Sequence, residues 1–460
     1  MSKPTAMPER PETTLRLLVR ESLPLMLTFL MMAGATPFIG DGIANRFDAA
    51  AERIHLASFS LAFVIAILLY SPLLTSRNVA IRSVRDHTSL RATFRFYTLA
   101  AAGCSLLLVL PSLFPSVRDL LFGSLLGAAD PVVRREAATG LLAFTPLPFL
   151  VGWRGILQAG SINERRSWVV GLSSVTRLVA MGLFVWAYVT CNLPFGGAVM
   201  GGLCFCAGII AETTLNLLLS RPQFPDAAPP VQALNPLQPL QPSLWRFALP
   251  VMGSTLIAKL LHPLGFVIIQ KVADPEAALA GHSLTQSTVW ILLSFIFVAQ
   301  PLILSFADTR AHFYLVLRFL CGLCLLTGLG ISILCLPGVR EFIFEDVMKV
   351  DNQHILKLTY AALPWTLLVV PVQLASMLAN SLVLRSGDTR VLISSGLLAL
   401  LPVAMIPLLV DIPAANGVII TIGAYILYHA SNALLLALHL RRRGLDACFE
   451  AQERAGASAA

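Results

Sequence analysis

The chain has 460 residues, of which 56% are hydrophobic and 13% charged, where an ordinary soluble domain carries about 25% charged residues. So few polar side chains cannot cover a water-facing surface, so a soluble globular domain is excluded and a lipid-facing surface is indicated. The net charge of +8 would suit a nucleic acid, but the basic residues sit at the ends of apolar runs, where they read as orientation signals, and no nucleic-acid partner is expected.

Apolar runs long enough to span a bilayer, about 20 residues each, fall at 17–45, 54–76, 96–117, 132–158, 167–190 and 194–220. A second set follows at 244–270, 277–306, 311–337, 358–384, 390–411 and 414–440. None shows the period-two alternation of barrel strands, which leaves helices as the spanning element. The expected fold class is an all-α polytopic membrane protein with about twelve transmembrane helices in two six-helix bundles. A polar tail, 1–16, precedes the N-terminal bundle, 17–220, and a tail at 441–460 follows the C-terminal bundle, 244–440. Between the bundles, 221–243 holds Pro222, Pro225, Pro229, Pro230, Pro236, Pro239 and Pro242, a density that blocks helix and favours an extended linker. The polar start and the long first run do not match a cleavable signal peptide.

The first helix contains Gly34, Pro37, Gly40, Asp41 and Gly42. Breakers at lipid depth free backbone groups and suggest an interrupted helix lining a cavity. A charge inside a span costs about 3 kcal/mol or more at the helix centre, so each one needs a reason. Asp41 is either a site for a coupling cation or proton, a partner for an arginine, or an interfacial residue beside Asn45 and Arg46. Glu21, in the first turns, reads as interfacial. The densest basic cluster, Arg77, Arg82, Arg85, Arg91 and Arg95, follows the second helix. Arg154, behind Trp153 at the end of the fourth helix, reads as an interfacial anchor. Arg177 in the fifth helix cannot lose its proton, and a structural ion pair with Glu212 of the sixth is the leading reading.

Lys259 and His262 of the seventh helix are three residues apart, hence on one helix face, with Pro263 next. Paired cations at mid-span beside a proline suit an anion site. The alternatives are a hydrogen-bonded core histidine and a Lys259 paired with Asp41 or Glu212. The polar runs Thr285-Gln286-Ser287-Thr288 and Asn380-Ser381 read as glue between helices. His55, His262, His282, His312, His354 and His429 show no ligand spacing. Cys321 and Cys324 have C-x-x-C spacing with no second pair, so no metal is expected. There is no nucleophile elbow, zinc-protease motif or phosphate-binding loop, and no enzymatic activity is expected.

The halves repeat. Leu23-Pro24-Leu25-Met26 matches Leu249-Pro250-Val251-Met252 at an offset of 226, and Leu157-Gln158-Ala159-Gly160 matches Leu384-Arg385-Ser386-Gly387 at 227. Six helices per half gives both halves one orientation, with the repeat axis along the membrane normal. Lys and Arg concentrate in the alternate loops that share a side with the N-terminus, which places both termini in the cytoplasm.

Leu384-Arg385-Ser386-Gly387-Asp388-Thr389-Arg390 resembles the turn after the tenth helix of MATE transporters, within the multidrug, oligosaccharidyl-lipid and polysaccharide (MOP) exporter superfamily. The progressive ankylosis (ANK) family, in the same fold group, is the closer resemblance. Gly40-Asp41, Asn45-Arg46, Leu56-Ala57-Ser58-Phe59, Pro72, Arg77-Asn78-Val79 and Arg85-Asp86 are similar to its first two helices without gaps. Pro250, Lys259, His262-Pro263 and Gly155-Ile156-Leu157 fall on matching positions, with His262 standing where that family has an arginine. The resemblance covers roughly residues 20–90, 150–170 and 245–275 and is only topological elsewhere. It implies a MATE/MOP-like fold and export of anionic metabolites such as ATP, citrate or pyrophosphate.

Together these readings predict a secondary transporter of a small organic anion, working by alternating access. Lys259, His262, Asp41, Asn45 and Arg46 are the expected substrate site, and Glu212, Arg177 and Arg154 the coupling or structural charges. No cofactor is expected beyond a coupling proton or sodium ion. The protein is expected as a monomer in a lipid bilayer, the bacterial inner membrane. The rival readings are a MATE-like exporter of organic cations that uses Asp41 and Glu212 as proton-linked acids, and a flippase of lipid-linked substrates.

Overall fold

The computed structural model describes residues 14–444 apart from 85–86, 129, 221–243, 308, 349, 351 and 410–415. The proline-rich linker and both tails expected from the sequence lie outside the described residues, except for 14–16 and 441–444. The protein is an all-α polytopic membrane protein. Among the described residues ten helices are long and apolar enough to cross a membrane, and a further pair bent by 41° makes an eleventh if it is one span.

In the first half, α1 (Leu15–Ala44) is followed by α2 (Ala49–Tyr70), which continues through a tight 3-10 turn at Ser71–Thr75 into α3 (Ser76–Ser83). Then come α4 (His87–Leu113), the short α5 (Pro115–Arg118), the bent pair α6 (Pro131–Ala143) and α7 (Leu147–Asn163), α8 (Ser167–Thr190) and α9 (Gly197–Leu219). The second half repeats the plan. It runs α10 (Leu244–Lys259), α11 (Leu261–Ile269), α12 (Pro275–Leu293), α13 (Ala299–Phe306), α14 (Arg310–Leu334), α15 (Pro337–Glu341), α16 (Gln353–Ala362), α17 (Thr366–Ser386), α18 (Arg390–Leu409) and α19 (Gly417–Arg443).

Two expectations are corrected here. The first helix is not interrupted, because α1 runs unbroken for 30 residues; its glycines lower helix propensity, but packing along α8 holds the backbone helical. The apolar run 277–306 is not one span either. It stops at Leu293, and Ser294 leads through turns into α13.

The duplication goes deeper than the tetrapeptides. Pro115-Ser116-Val117-Arg118-Asp119 and Pro337-Gly338-Val339-Arg340-Glu341 lie at an offset of 222 and form equivalent short helices, α5 and α15. Each begins with proline at its first position, where the missing N–H is not needed, and each runs on into a π-helical turn, Asp119–Leu125 and Phe342–Val347. The turns anchor the fully buried Phe122 and Phe344. At the same offset, Asp130 caps α6 by accepting from Val132 N at 2.7 Å, and Asn352 caps α16 by accepting from His354 N at 3.0 Å.

The halves meet on the side where α1 begins. There the Arg82 side chain donates to Arg385 O at 3.2 Å, the Arg165 guanidinium lies 3.7 Å over the Phe306 ring, and Phe96 packs edge-on to Trp245 at 4.7 Å. On the opposite side a cavity of about 370 Å³ separates them, bordered by Ala57 and Val64 of α2 and by Phe266 and Leu279 of the second half.

Candidate functional site

Two polar clusters lie at membrane depth, one in each half. In the first half, α7 presents Arg154 and Gln158 one turn apart, α8 presents Ser174 and Arg177, and α9 presents Glu212. Helix spacings of three and four place each set on one face. They converge on the Glu212 carboxylate, which is fully buried. Oε2 accepts from Arg154 Nη1 at 3.0 Å and Arg177 Nη1 at 3.2 Å, and Oε1 accepts from Gln158 Nε2 at 3.0 Å and Ser174 Oγ at 3.1 Å. Asn216, one turn along α9, donates to Ser173 Oγ at 2.8 Å. Arg154, expected as an interfacial anchor, is instead 6% exposed and a full member of this group. Glu21, expected at the interface, is buried and accepts from Ser167 N at 3.0 Å, capping α8. One carboxylate faces two guanidinium groups, so the group keeps a net positive charge. Arg177 Nε and Nη2 and Arg154 Nε have no hydrogen-bond partner.

The second cluster fills the C-terminal half. Pro263 has no N–H to give the carbonyl of Lys259 four residues back, and its ring crowds that carbonyl. The helix is jointed there, with Leu260 alone between α10, which ends on Lys259, and α11, which starts at Leu261, within one span, Leu244–Ile269. Lys259 and His262 meet around Trp290 of α12, with the Lys259 ammonium 5.3 Å above the indole ring and the His262 ring centroid 5.8 Å away. Polar stripes at helical spacing face them. On α12 these are His282 and Gln286; on α17, Gln373 and Ser376; on α19, Thr421, Tyr425 and His429.

These stripes interlock. His282 Nδ1 lies 2.9 Å from Thr421 Oγ1, His262 Nδ1 is 3.4 Å from Gln286 Nε2, and His429 Nδ1 is 3.3 Å from Ser376 Oγ. Tyr425 donates to Gln373 Oε1 at 2.9 Å and its ring stacks 4.3 Å from that of His429. A cavity of about 60 Å³ lies among His262, His282, Gln286, Trp290, Thr421 and Tyr425, room for a few water molecules or one carboxylate-sized group on the scale of about 10–15 Å³ per water. No carboxylate among the described residues pairs with Lys259 or with these three histidines.

The histidines read as scattered are thus partly gathered, since His262, His282 and His429 come from three helices into one cluster. The runs read as inter-helix glue contribute Thr285 and Gln286 to the cavity wall. The signal was present in the i, i+4 pairs His282/Gln286 and Tyr425/His429, polar groups repeated on one face of an apolar span. Among the described residues no group of three His, Cys, Asp or Glu side chains is placed to hold a metal ion.

Asn45 and Arg46 do not join this cluster. Both follow α1, where Arg46 donates to Tyr188 O at 2.6 Å and its guanidinium stacks 4.2 Å over the Tyr188 ring, at the end of α8. The side chain of Asp41 lies outside the described residues.

No protein-family model and no curated protein sequence matches the chain. Solved structures do match in fold. The eukaryotic MATE transporter AtDTX14 superposes with a TM-score of 0.70 at 15% identity, covering 96% of this chain and 98% of that one. A MOP superfamily transporter from Pyrococcus furiosus, described as having a binding pocket of reverse polarity, gives 0.62 at 14% over 94% and 96%. The Vibrio cholerae MATE transporter VcmN in its bent form gives 0.63 at 15% over 94% and 98%. The chain therefore has the MATE/MOP fold. The ANK resemblance has no counterpart among these structures.

Proposed function

We propose that the protein is a secondary-active transporter working by alternating access, and that its cargo is a small organic anion such as a di- or tricarboxylate or a phosphorylated metabolite. One observation carries the choice of charge: among the described residues, what remains at membrane depth after internal pairing is positive. There Glu212 is taken up by two arginines, and Lys259 stands with three histidines and no acid. A cation would meet repulsion in both clusters. The Pyrococcus furiosus transporter, described with its reversed pocket polarity, is a precedent for a change of pocket charge on this fold.

The rival, an organic-cation exporter, draws support from the two MATE transporters of the same fold. It needs Asp41 or Glu212 as a free acid, and the side chain of Asp41 lies outside the described residues. With four donors on its two oxygens, Glu212 is a poor exchange site for protons. By charge bias the side on which α1 begins is cytoplasmic, and a monomer in a bacterial inner membrane is the setting we assign.

The test is uptake of citrate and of an organic cation into proteoliposomes, by wild type and Lys259→Gln. A unit charge attracts an anion by about 4 kcal/mol at 4 Å with an effective dielectric of 20, much of it offset by dehydration of the anion. A net loss of about 1–3 kcal/mol, or roughly 5- to 150-fold in affinity, is expected for the variant. Unchanged citrate uptake by Lys259→Gln would remove this site, and cation uptake by wild type without citrate uptake would establish the rival.

A further inference from the structure

Six of the eight histidines fall into two kinds. Three stand at ion-pair distance from a carboxylate and lie towards the helix ends: His55 and Glu136 at 2.8 Å, His354 and Asp274 at 3.4 Å, His439 and Asp388 at 3.2 Å. The three in the C-terminal cavity cluster, His262, His282 and His429, each hold a neutral amide or hydroxyl of another helix through Nδ1. A proton taken up by one of the first kind is compensated by its acid. A proton taken up in the cavity has no counter-charge among the described residues, and Lys259 is already beside it.

We infer that the cavity histidines are the proton site of the transporter, taking up protons together with the anion so that anion and proton move as one cargo. This rests on the anion-transport reading above. The physical reason is linkage: an anion entering the cavity supplies the missing counter-charge, stabilises the protonated imidazoles, and is itself held more tightly by them. The other titratable or charged groups on the elements around the cluster lie mostly towards the helix ends. Arg246 and Lys259 lie on α10, Glu276 starts α12, and Tyr425, Tyr428, His439, Arg441, Arg442 and Arg443 lie on α19. Arg385 of α17 donates to the carbonyls of Ile303 and Leu304 at 3.2 and 3.4 Å. On α16 they are His354, Lys357 and Tyr360; on α14, Arg310, His312, Tyr314, Arg318, Cys321 and Cys324; on α18, Arg390; on α1, Arg16, Arg20 and Glu21, with the Asp41 side chain outside the described residues.

The experiment is isothermal titration of the full-length protein with citrate near neutral pH, in two buffers of different ionisation enthalpy, with citrate's own ionisation subtracted. The difference between buffers counts protons taken up on binding. Wild type should take up about one proton or more, and its citrate affinity should fall by about tenfold per unit of rising pH for each proton. His282→Gln and His429→Gln keep a polar group for Thr421 and Ser376, and together they should reduce the uptake while citrate still binds. Lys259→Gln is the third arm. Citrate binding with no proton uptake and a flat pH dependence would overturn the inference and leave the transport reading standing. Uptake that persists in the histidine pair but vanishes in Lys259→Gln would move the proton to the lysine and also overturn it. Failure of wild type to bind citrate would sink the underlying reading, and this inference with it.

Discussion

Removing the charge of Glu212 is the sharpest perturbation the structure offers. Glu212→Gln keeps the shape, and the hydrogen bonds can largely be repaired. The new amide can turn its oxygen to the arginines, while Gln158 flips its amide and Ser174 rotates its hydroxyl to accept instead. What cannot be repaired is charge. Arg154 and Arg177 both approach Oε2, at 3.0 and 3.2 Å, and without it two buried guanidinium groups repel each other with no counter-charge. Breaking a buried pair by removing one partner costs about 3–5 kcal/mol. Arg177→Gln is different, because it leaves a one-to-one pair of Arg154 with Glu212. It forfeits a charge-assisted hydrogen bond, about 1.5–3 kcal/mol, less the repulsion it relieves. The expected order of damage is therefore Glu212→Gln first and Arg177→Gln well behind, with the double variant recovering part of the Glu212→Gln loss. Apparent melting temperatures at one scan rate, on protein purified in one detergent, rank the three against wild type. Equal damage from the two single substitutions, or strict additivity in the double variant, would refute the triad as the source of the effect.

Three further outcomes follow from packing and topology. A Cβ on Gly155 would lie 2.9 Å from Arg77 N and closer still to Ser76 Oγ, so Gly155→Ala should cost about 1–3 kcal/mol, read as a lower melting temperature. Phe122→Ala and Phe344→Ala each empty a fully buried site at the repeated π-helical turn, at about 3–5 kcal/mol apiece. Comparable losses of folded yield are expected, and a neutral result at either would show that the turn is not held by its aromatic anchor. Cys191 is exposed in the connection between α8 and α9, so a membrane-impermeant maleimide should label it from outside intact cells. Labelling only after permeabilisation would reverse the proposed orientation.

Much of the architecture was readable from the chain because the bilayer permits so few answers. An apolar run of spanning length has to be a helix, and its ends are marked by Asp48, Asp130, Asp274, Asn352 and Asn416, whose side chains cap the helices that follow. The pairing of Arg177 with Glu212 was legible for a similar reason, since two unlike charges at lipid depth have little else to meet. Arg154 was misread because a charge near a predicted helix end looks the same whether it faces lipid headgroups or the bundle interior. Pro146 and Pro148 mark the 41° bend between α6 and α7, but not which way the helix beyond it turns Arg154. The histidine cluster was missed for a different reason. Residues 262, 282 and 429 become neighbours only once α11, α12 and α19 pack together, and sequence spacing carries no record of that.

The location of the break in the repeated helix shows where the two halves part company. Glycines and Pro37 suggested an interrupted first helix, yet α1 is continuous, and its counterpart in the second half carries the joint, the single turn residue Leu260 between Lys259 and Leu261. Glycine lowers helix propensity by only about 1 kcal/mol, which packing can outweigh. Pro263 removes a hydrogen bond and adds a clash, about 3 kcal/mol or more, and it does so at the carbonyl of the one lysine at this depth. The same half breaks again between α12 and α13, while the N-terminal half locks its charges to one another through Glu212. A transporter needs a part that stays rigid and a part that can rearrange around its cargo. The buried ion network around Glu212 suits the first role. The second suits the C-terminal half, where the cations have only neutral partners among the described residues.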